Sequence, residues 1–288
     1  MGFFASVNGH ITPAAEARVS VLDNGFTFGD SVYETLRTYG GRPFALGRHL
    51  RRLRSSAGRI GVALPLSDEV MGERLAALLA AAANPESYIR MIVTRGVGDI
   101  SYHFDRVQGP TVVMAVKPYV PLSDRDYTEG VAASLVSLRR NAPEALDPAI
   151  KACNLLNNIL AVQEAQSKGA IEAIMLNRHG EVAEGAGSNV FLVRHGEVLT
   201  PPLSAGILSG ITREVLFEVA LEDGVTIRER TLWPDDLWSA DEAFFTSTLK
   251  ELAPIRAIDG RPVGTGAPGP LTLRLLAAFR AAVPRYCD

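Results

Sequence analysis

Positive charge in this 288-residue chain is carried almost entirely by arginine, with four lysines, Lys117, Lys151, Lys168 and Lys250, against 25 arginines. Chemistry that needs an amine able to lose its proton is therefore confined to those four, because a guanidinium stays charged. Lys117 precedes a proline, and Lys168 precedes Gly169 at a helix C-terminus, where a cation complements the helix dipole. Lys250, in "STLKEL" after a strand, suits a solvated loop or a phosphate contact. Lys151 stands between an extended "PAI" and a helix carrying Leu155, Leu156, Ile159, Leu160 and Val162, a stripe expected to be buried. Desolvation there would lower its pKa and free a neutral amine for Schiff-base chemistry. The bland alternative is a lysine snorkelling to the surface from a helix start.

A second group of residues suits an anion. In "LSGITREVLFEVA", Gly210, Ile211 and Thr212 open an amphipathic helix, so free backbone N–H groups and a hydroxyl could meet a phosphate, although a hydroxyl there also serves as a plain cap. "FFTSTLKEL" places Thr246, Ser247 and Thr248 just past a strand. No GxxxxGK[ST] occurs, which disfavours a nucleotide as the anion. In "EVAEGAGSNVFLV", Glu184 precedes small residues past which backbone can approach a flat ligand closely, though a loop glutamate is ordinarily solvated.

The elements that must position these groups fall into two sets. Short alternating stretches form a hairpin around Asn8-Gly9-His10, and an apolar stretch over Ser31 to Tyr39 runs to a turn at Gly40-Gly41. Helices are predicted at His49 to Arg59 and from the cap Ser67 to Ala83, and strands at Tyr88 to Thr94 and Thr111 to Lys117. Pro118 to Asp126 then punctuates the chain. Beyond it, strands at Val131 to Ser137, Ala173 to Asn177, Val225 to Arg230 and Ala243 to Thr246 alternate with helices at Asn154 to Lys168, Thr212 to Asp223 and Leu271 to Val283. A hairpin turns at His195-Gly196. The expected architecture is α/β (α+β) with mixed sheets in both of two domains: a small N-terminal α/β domain (1–118), a linker (119–130) and a larger C-terminal α/β domain (131–288).

Composition bounds the rest. With 47% hydrophobic and 21% charged residues and a net charge of -3, the chain reads as an ordinary soluble protein with no surface for nucleic acid. Its longest apolar run, Leu75 to Ala83, is about half the ~20 residues of a spanning helix, and no signal pattern opens the chain. A cytoplasmic protein without a membrane partner is expected. Met1 to Ser6 fits an N-myristoylation pattern but lacks a second membrane signal. Cys153 and Cys287 imply reduced thiols and no metal site.

Taken in order, "DNGFTFGDSVYETLRTYGGRPFALGRHLRRL", "IKACNLLNNILAVQEA", "EVAEGAGSNVFLV", "GILSGITREVL" and "FFTSTLKELAPI" resemble the signatures of the class IV, or fold type IV, pyridoxal-phosphate aminotransferases. Branched-chain and D-amino-acid aminotransferases and aminodeoxychorismate lyase belong to that family. The resemblance covers nearly the whole chain. It implies a cofactor, pyridoxal 5'-phosphate, between a small and a larger domain, and a homodimer acting on amino acids and 2-oxo acids. Lys151 would carry the cofactor as a Schiff base and then move the proton, and Glu184 would pair with the pyridine nitrogen. Arg52 in "HLRRL", with Ile211, Thr212, Ser247 and Thr248, would bind the phosphate; without the resemblance Arg52 reads as a solvated residue of a basic helix.

Substrate choice is divided. Tyr33, Arg37 and Arg90 match pocket positions of branched-chain enzymes, where the arginine of "YIR" can meet the side-chain carboxylate of glutamate. That favours a hydrophobic L-amino acid as donor and 2-oxoglutarate as acceptor. Leu155 stands where branched-chain enzymes usually carry tyrosine, as in D-amino-acid enzymes, yet of the arginine and histidine those enzymes use only His103 is near its place, with Ile100 for the arginine. The lyase, releasing pyruvate, is a third reading, and a pyridoxal-phosphate-binding protein without turnover a fourth.

Overall fold

Asn8 and Gly9, with φ of 52° and 95°, turn β1 (Phe4–Val7) back on β2 (His10–Pro13) at the expected hairpin. The computed structural model describes residues 1–103 and 106–287. It divides the chain into one unit of Met1–Val120, Ile150–Asn154 and Pro284–Asp288 and another of Pro121–Ala149 and Leu155–Val283.

The first unit continues with α1 (Asn24–Phe28), β3 (Ser31–Tyr39), β4 (Arg42–Pro43), α2 (Leu46–Arg59), α3 (Asp68–Ala82), β5 (Ser87–Thr94) and β6 (Val112–Pro118). Its six strands lie in the order β2-β1-β6-β5-β3-β4. Every pairing is antiparallel, so this sheet is not mixed as expected. Hairpins join β1 to β2 and β3 to β4, and such reversals leave antiparallel neighbours, whereas a parallel pair needs a crossover. Leu50, Leu53 and Ala57 of α2 and Met71, Leu75 and Leu78 of α3 form one core with Val32, Leu36, Ile89 and Met91 of the sheet. Ser67 caps α3 as its sequence predicts, accepting the Val70 N–H, with Asp68 and Glu69 in the first turn.

Ile150–Asn154 belongs to this unit because it lies along β3. The Lys151 carbonyl accepts the Tyr33 N–H and the Cys153 N–H donates to the Ser31 carbonyl, each at 2.9 Å. Pro148-Ala149-Ile150, expected to be extended, is a turn that delivers Lys151 to the strand.

The second unit contains α4 (Asp124–Thr128), β7 (Val131–Arg139), α5 (Pro143–Leu146), α6 (Leu156–Ser167), β8 (Glu172–Leu176), β9 (Val182–Gly185), β10 (Asn189–Arg194) and β11 (Glu197–Thr200). It continues through α7 (Ile211–Glu222), β12 (Ile227–Glu229), α8 (Pro234–Trp238), β13 (Glu242–Ser247), β14 (Glu251–Ile258), β15 (Arg261–Pro262) and α9 (Pro270–Ala282). The sheet runs β12-β11-β10-β13-β14-β7-β8-β9, with β15 on β14. It is mixed, with β11/β12, β14/β7 and β7/β8 parallel.

Two local expectations change here. Within 119–130, residues 124–128 form α4, closed by a reciprocal Ser123/Asp126 capping box. Tyr127 is buried there and donates its hydroxyl to the Lys250 carbonyl at 3.2 Å, so this stretch is packed structure. On α6, Leu156, Ile159 and Leu160 are 66%, 59% and 40% exposed, while Ala161 and Ala165 are buried against Val136, Ala173 and Met175. The helix is apolar on more than one side, and the alanine face, which lets the backbone approach closely, is the one the sheet takes. Among the described residues no helix is long and apolar enough to cross a membrane.

Candidate active site

In the first unit, β3, β5 and the Ile150–Asn154 segment converge on one aromatic ring. The Lys151 ammonium lies 4.5 Å from the Tyr33 ring centroid and the Arg90 guanidinium carbon 3.8 Å from it. A ring face attracts cations through its quadrupole, and more strongly where water is excluded. Tyr33 and Arg90 come together because Tyr33 pairs with Ile92 and Thr35 with Arg90 in the β3–β5 register. Burial pushes the Tyr33 phenol above its ordinary range, against the pull of Arg90, so it stays protonated. Burial likewise pushes the Cys153 thiol up, although it hydrogen-bonds to Ser31 and Arg90. Lys151 is also fixed from α2, whose Ser56 hydroxyl accepts the Lys151 N–H at 3.1 Å.

The same helix carries Arg52, which is not solvated: its side chain is 13% exposed. Nε and Nη2 donate to the two oxygens of Glu34, each at 2.7 Å, a bidentate pair that fixes the guanidinium plane. His49 Nδ1 meets the same carboxylate at 2.7 Å. Burial alone would raise the Glu34 pKa; Arg52, then His49, hold it at about 2. Burial pushes the His49 imidazole down, against Glu34, so the ring is neutral at pH 7. Nδ1 then carries the hydrogen, because ionised Glu34 can only accept, and the buried Nε2 has no partner. Glu34 and His49 were missed in the sequence. The signal was alternation: Glu34 shares the core face of β3 with Val32 and Leu36, where a carboxylate requires a cation.

The other expected substrate residues lie elsewhere. Arg37 is sandwiched between the Tyr39 and Tyr119 rings, 3.9 Å from each centroid, and donates to the Tyr119 hydroxyl. His103 is exposed, with its N–H on Ser101 Oγ.

In the second unit, Glu184 lies on β9, not in a loop, and is buried. Its Oε1 accepts from Arg140 Nε at 2.8 Å; its Oε2 accepts the Leu208 N–H at 3.0 Å and the Asn189 amide at 3.3 Å. Asn189 also donates to the Leu208 carbonyl, and a Cβ added at Gly210 would stand 2.0 Å from its Oδ1. Only glycine fits there, at the N-cap of α7. Asn189 pairs across the ladder with Thr246, so Glu184, the α7 N-terminus and the end of β13 form one neighbourhood. The buried hydroxyls of Thr212 and Thr246 have no protein partner. Ser247 and Thr248 follow, half-buried. Lys250, with two sequence readings, ion-pairs with buried Glu172.

Residues 31–258 match the model of the amino-transferase class IV family. The chain belongs to the class IV aminotransferases. A putative branched-chain-amino-acid aminotransferase of Methanocaldococcus jannaschii is 38% identical over 95% of this chain and 94% of its own length. A D-alanine aminotransferase of Bacillus licheniformis is 34% identical over 96% and 95%. The branched-chain aminotransferase structure from Escherichia coli superposes with a TM-score of 0.90 at 30% identity, covering 100% of this chain and 96% of that one. Class IV aminotransferases are pyridoxal-phosphate-dependent transaminases, and so is this chain.

The second unit fits such a cofactor. Two buried, unpartnered hydroxyls beside the uncapped N-terminus of a 12-residue helix suit a phosphate, which accepts hydrogen bonds and complements the helix dipole. A buried carboxylate in the same network suits a protonated ring nitrogen. Residues of the same kind in the first unit are an amine, Lys151, and a clamped guanidinium, Arg52.

Proposed function

We propose that this aminotransferase moves the amino group of a branched-chain or other hydrophobic L-amino acid to a 2-oxo acid such as 2-oxoglutarate, in a ping-pong cycle. The observation that carries the reading is the convergence of the Lys151 amine and the Arg90 guanidinium on the Tyr33 ring. Pyridoxal phosphate, when bound, supplies the carbonyl that captures the amino group and the electron sink that loosens the substrate α-hydrogen. Lys151 would hold the cofactor through Nζ and, with that amine free, would take up the substrate α-proton on Nζ and hand it on to the cofactor. Glu184 would keep a proton on the ring nitrogen, its carboxylate aimed by the Arg140 and Leu208 contacts. Arg52, held by Glu34, grips the phosphate with the Ile211 N–H and the hydroxyls of Thr212, Ser247 and Thr248. Arg90 receives the distal carboxylate of 2-oxoglutarate, while the Tyr33 ring packs on an apolar donor side chain. The enzyme works as a homodimer, for which the exposed leucine and isoleucine face of α6 is a candidate contact.

A second reading is favoured by the 34–36% identity to D-alanine aminotransferases: the donor is a D-amino acid. Adding L-leucine, L-glutamate and D-alanine separately to the yellow holoenzyme decides between them. Bleaching by L-leucine and L-glutamate supports the first reading, bleaching by D-alanine alone supports the second, and no bleaching by any amino acid refutes both. Lys151→Ala should abolish turnover, and substantial residual transamination in that variant would overturn its role.

A further inference from the structure

Glu172 opens β8 and is 2% exposed, although nothing in the proposed chemistry uses it. Its Oε2 pairs with the Lys250 ammonium and accepts the Ser188 hydroxyl at 3.2 Å; its Oε1 accepts the Ala173 N–H at 3.2 Å. Ser188 belongs to the turn that follows Glu184, where its carbonyl accepts the Gly185 N–H at 2.7 Å. Lys250 closes the turn between β13 and β14, donating its N–H to the Ser247 carbonyl and to Ser247 Oγ, each at 3.2 Å. The far side of that turn is held as well. Tyr127 donates to the Lys250 carbonyl, and Glu251, at a φ of 54°, pairs with Arg280 at 2.7 Å. A left-handed glutamate persists only where its surroundings over-determine it, so this turn is braced from several directions.

We propose that the Glu172–Lys250 pair positions the phosphate end of the cofactor site relative to its ring-nitrogen end. One buried carboxylate anchors both the turn after Glu184 and the turn presenting Ser247 and Thr248, and so fixes their separation. Lys250 acts as a positioning residue, its ammonium engaged by Glu172 and not by the phosphate. The inference rests on assigning Ser247 and Thr248 to the phosphate.

The test titrates the full-length protein, stripped of cofactor, with pyridoxal phosphate and with pyridoxal, which lacks the phosphate. Lys250→Met and Glu172→Gln should each weaken pyridoxal phosphate about tenfold, the loss of one charge-assisted contact's positioning, and leave pyridoxal within about twofold. Acting as one unit, the two changes together should weaken it no more than the worse single change, and Lys250→Arg should restore binding. The double variant, which leaves no unpaired buried charge, also serves if Lys250→Met does not fold. Equal weakening of both ligands, additive losses, or tighter pyridoxal phosphate binding in Glu172→Gln, as expected if freed Lys250 reached the phosphate itself, would overturn the proposal. Ser247→Ala with Thr248→Val separates the two levels. Unchanged pyridoxal phosphate affinity there refutes the phosphate assignment; weakened affinity there with unchanged affinity in Lys250→Met refutes the positioning role alone.

Discussion

Replacing Glu34 by Gln should destabilise the protein at neutral pH and, in the same stroke, remove much of its sensitivity to acid. The Glu34 carboxyl is fully buried and held at about 2 against an ordinary 4.5. At ~1.4 kcal/mol per pH unit that difference is worth about 3 kcal/mol. A depressed carboxyl pKa contributes stability that is complete above 4.5 and disappears as pH falls through 2; integrating to pH 3 gives a loss of about 2 kcal/mol. His49 adds to this in the same direction but in a higher window. Its folded pKa lies below the ordinary 6.5, so below that pH the unfolded chain takes up a proton that the folded chain refuses. To separate the two, the comparison is made in a His49→Asn background, where the amide still donates to Glu34 without titrating. Arg52, which lowers the carboxyl more than His49 does, remains, so most of the acid-dependent loss should too. Urea unfolding at fixed protein concentration should give a deficit for Glu34→Gln of about 3–5 kcal/mol at pH 7, the cost of breaking a buried pair. That deficit should shrink by up to about 2 kcal/mol at pH 3. A deficit that stays constant between pH 7 and pH 3 would show that Glu34 is not held ionised, and the reasoning about the clamp on Arg52 would fail with it.

Arg90→Ala should raise KM for 2-oxoglutarate ten- to a hundredfold, the order expected for losing a hydrogen bond to a charged group at about 1.5–3 kcal/mol, and change that for L-leucine far less; equal effects on both would remove its proposed role. Leu156→Gln with Ile159→Gln should weaken self-association by at least about tenfold, from about 1.5–3 kcal/mol for each large apolar side chain left in water. Sedimentation velocity over a dilution series measures it, and an unchanged profile would place the subunit contact elsewhere.

The parts of the fold legible in the sequence were those with a strong local signal. The α3 cap at Ser67, the hairpin at His195-Gly196 and the alternating strands needed only neighbours in sequence. β14 has no counterpart among the expected strands: "ELAPI" contains a charge and a proline, yet it lies in the middle of the second sheet with five consecutive buried residues. Its burial comes from β13 and β7 on either side, which no local pattern reports. α6 shows the opposite failure: its leucines and isoleucine are the most hydrophobic part of the segment, but tertiary packing selected Ala161 and Ala165 as the inward face. Hydrophobicity identifies what can be buried, and closeness of approach decides what is.

The chemistry followed the same division. Lys151 was conspicuous because lysine is rare here and a helix follows it, but the neighbours that give it surroundings, Tyr33, Arg90 and Ser56, come from β3, β5 and α2 and are at least 61 positions away in sequence. The polar residues that hold the site's groups in place were silent for a related reason. Glu34 and Glu172 each stand at a buried position of a strand, and no local pattern sets them apart from solvated glutamates. A buried carboxylate has to be matched by cations or donors to be tolerated at all. In both cases the match is a residue the sequence did single out, Arg52 for Glu34 and Lys250 for Glu172. A buried strand glutamate is therefore a pointer to a partner distant in sequence, here Arg52 for Glu34, Lys250 for Glu172 and Arg280 for Glu251.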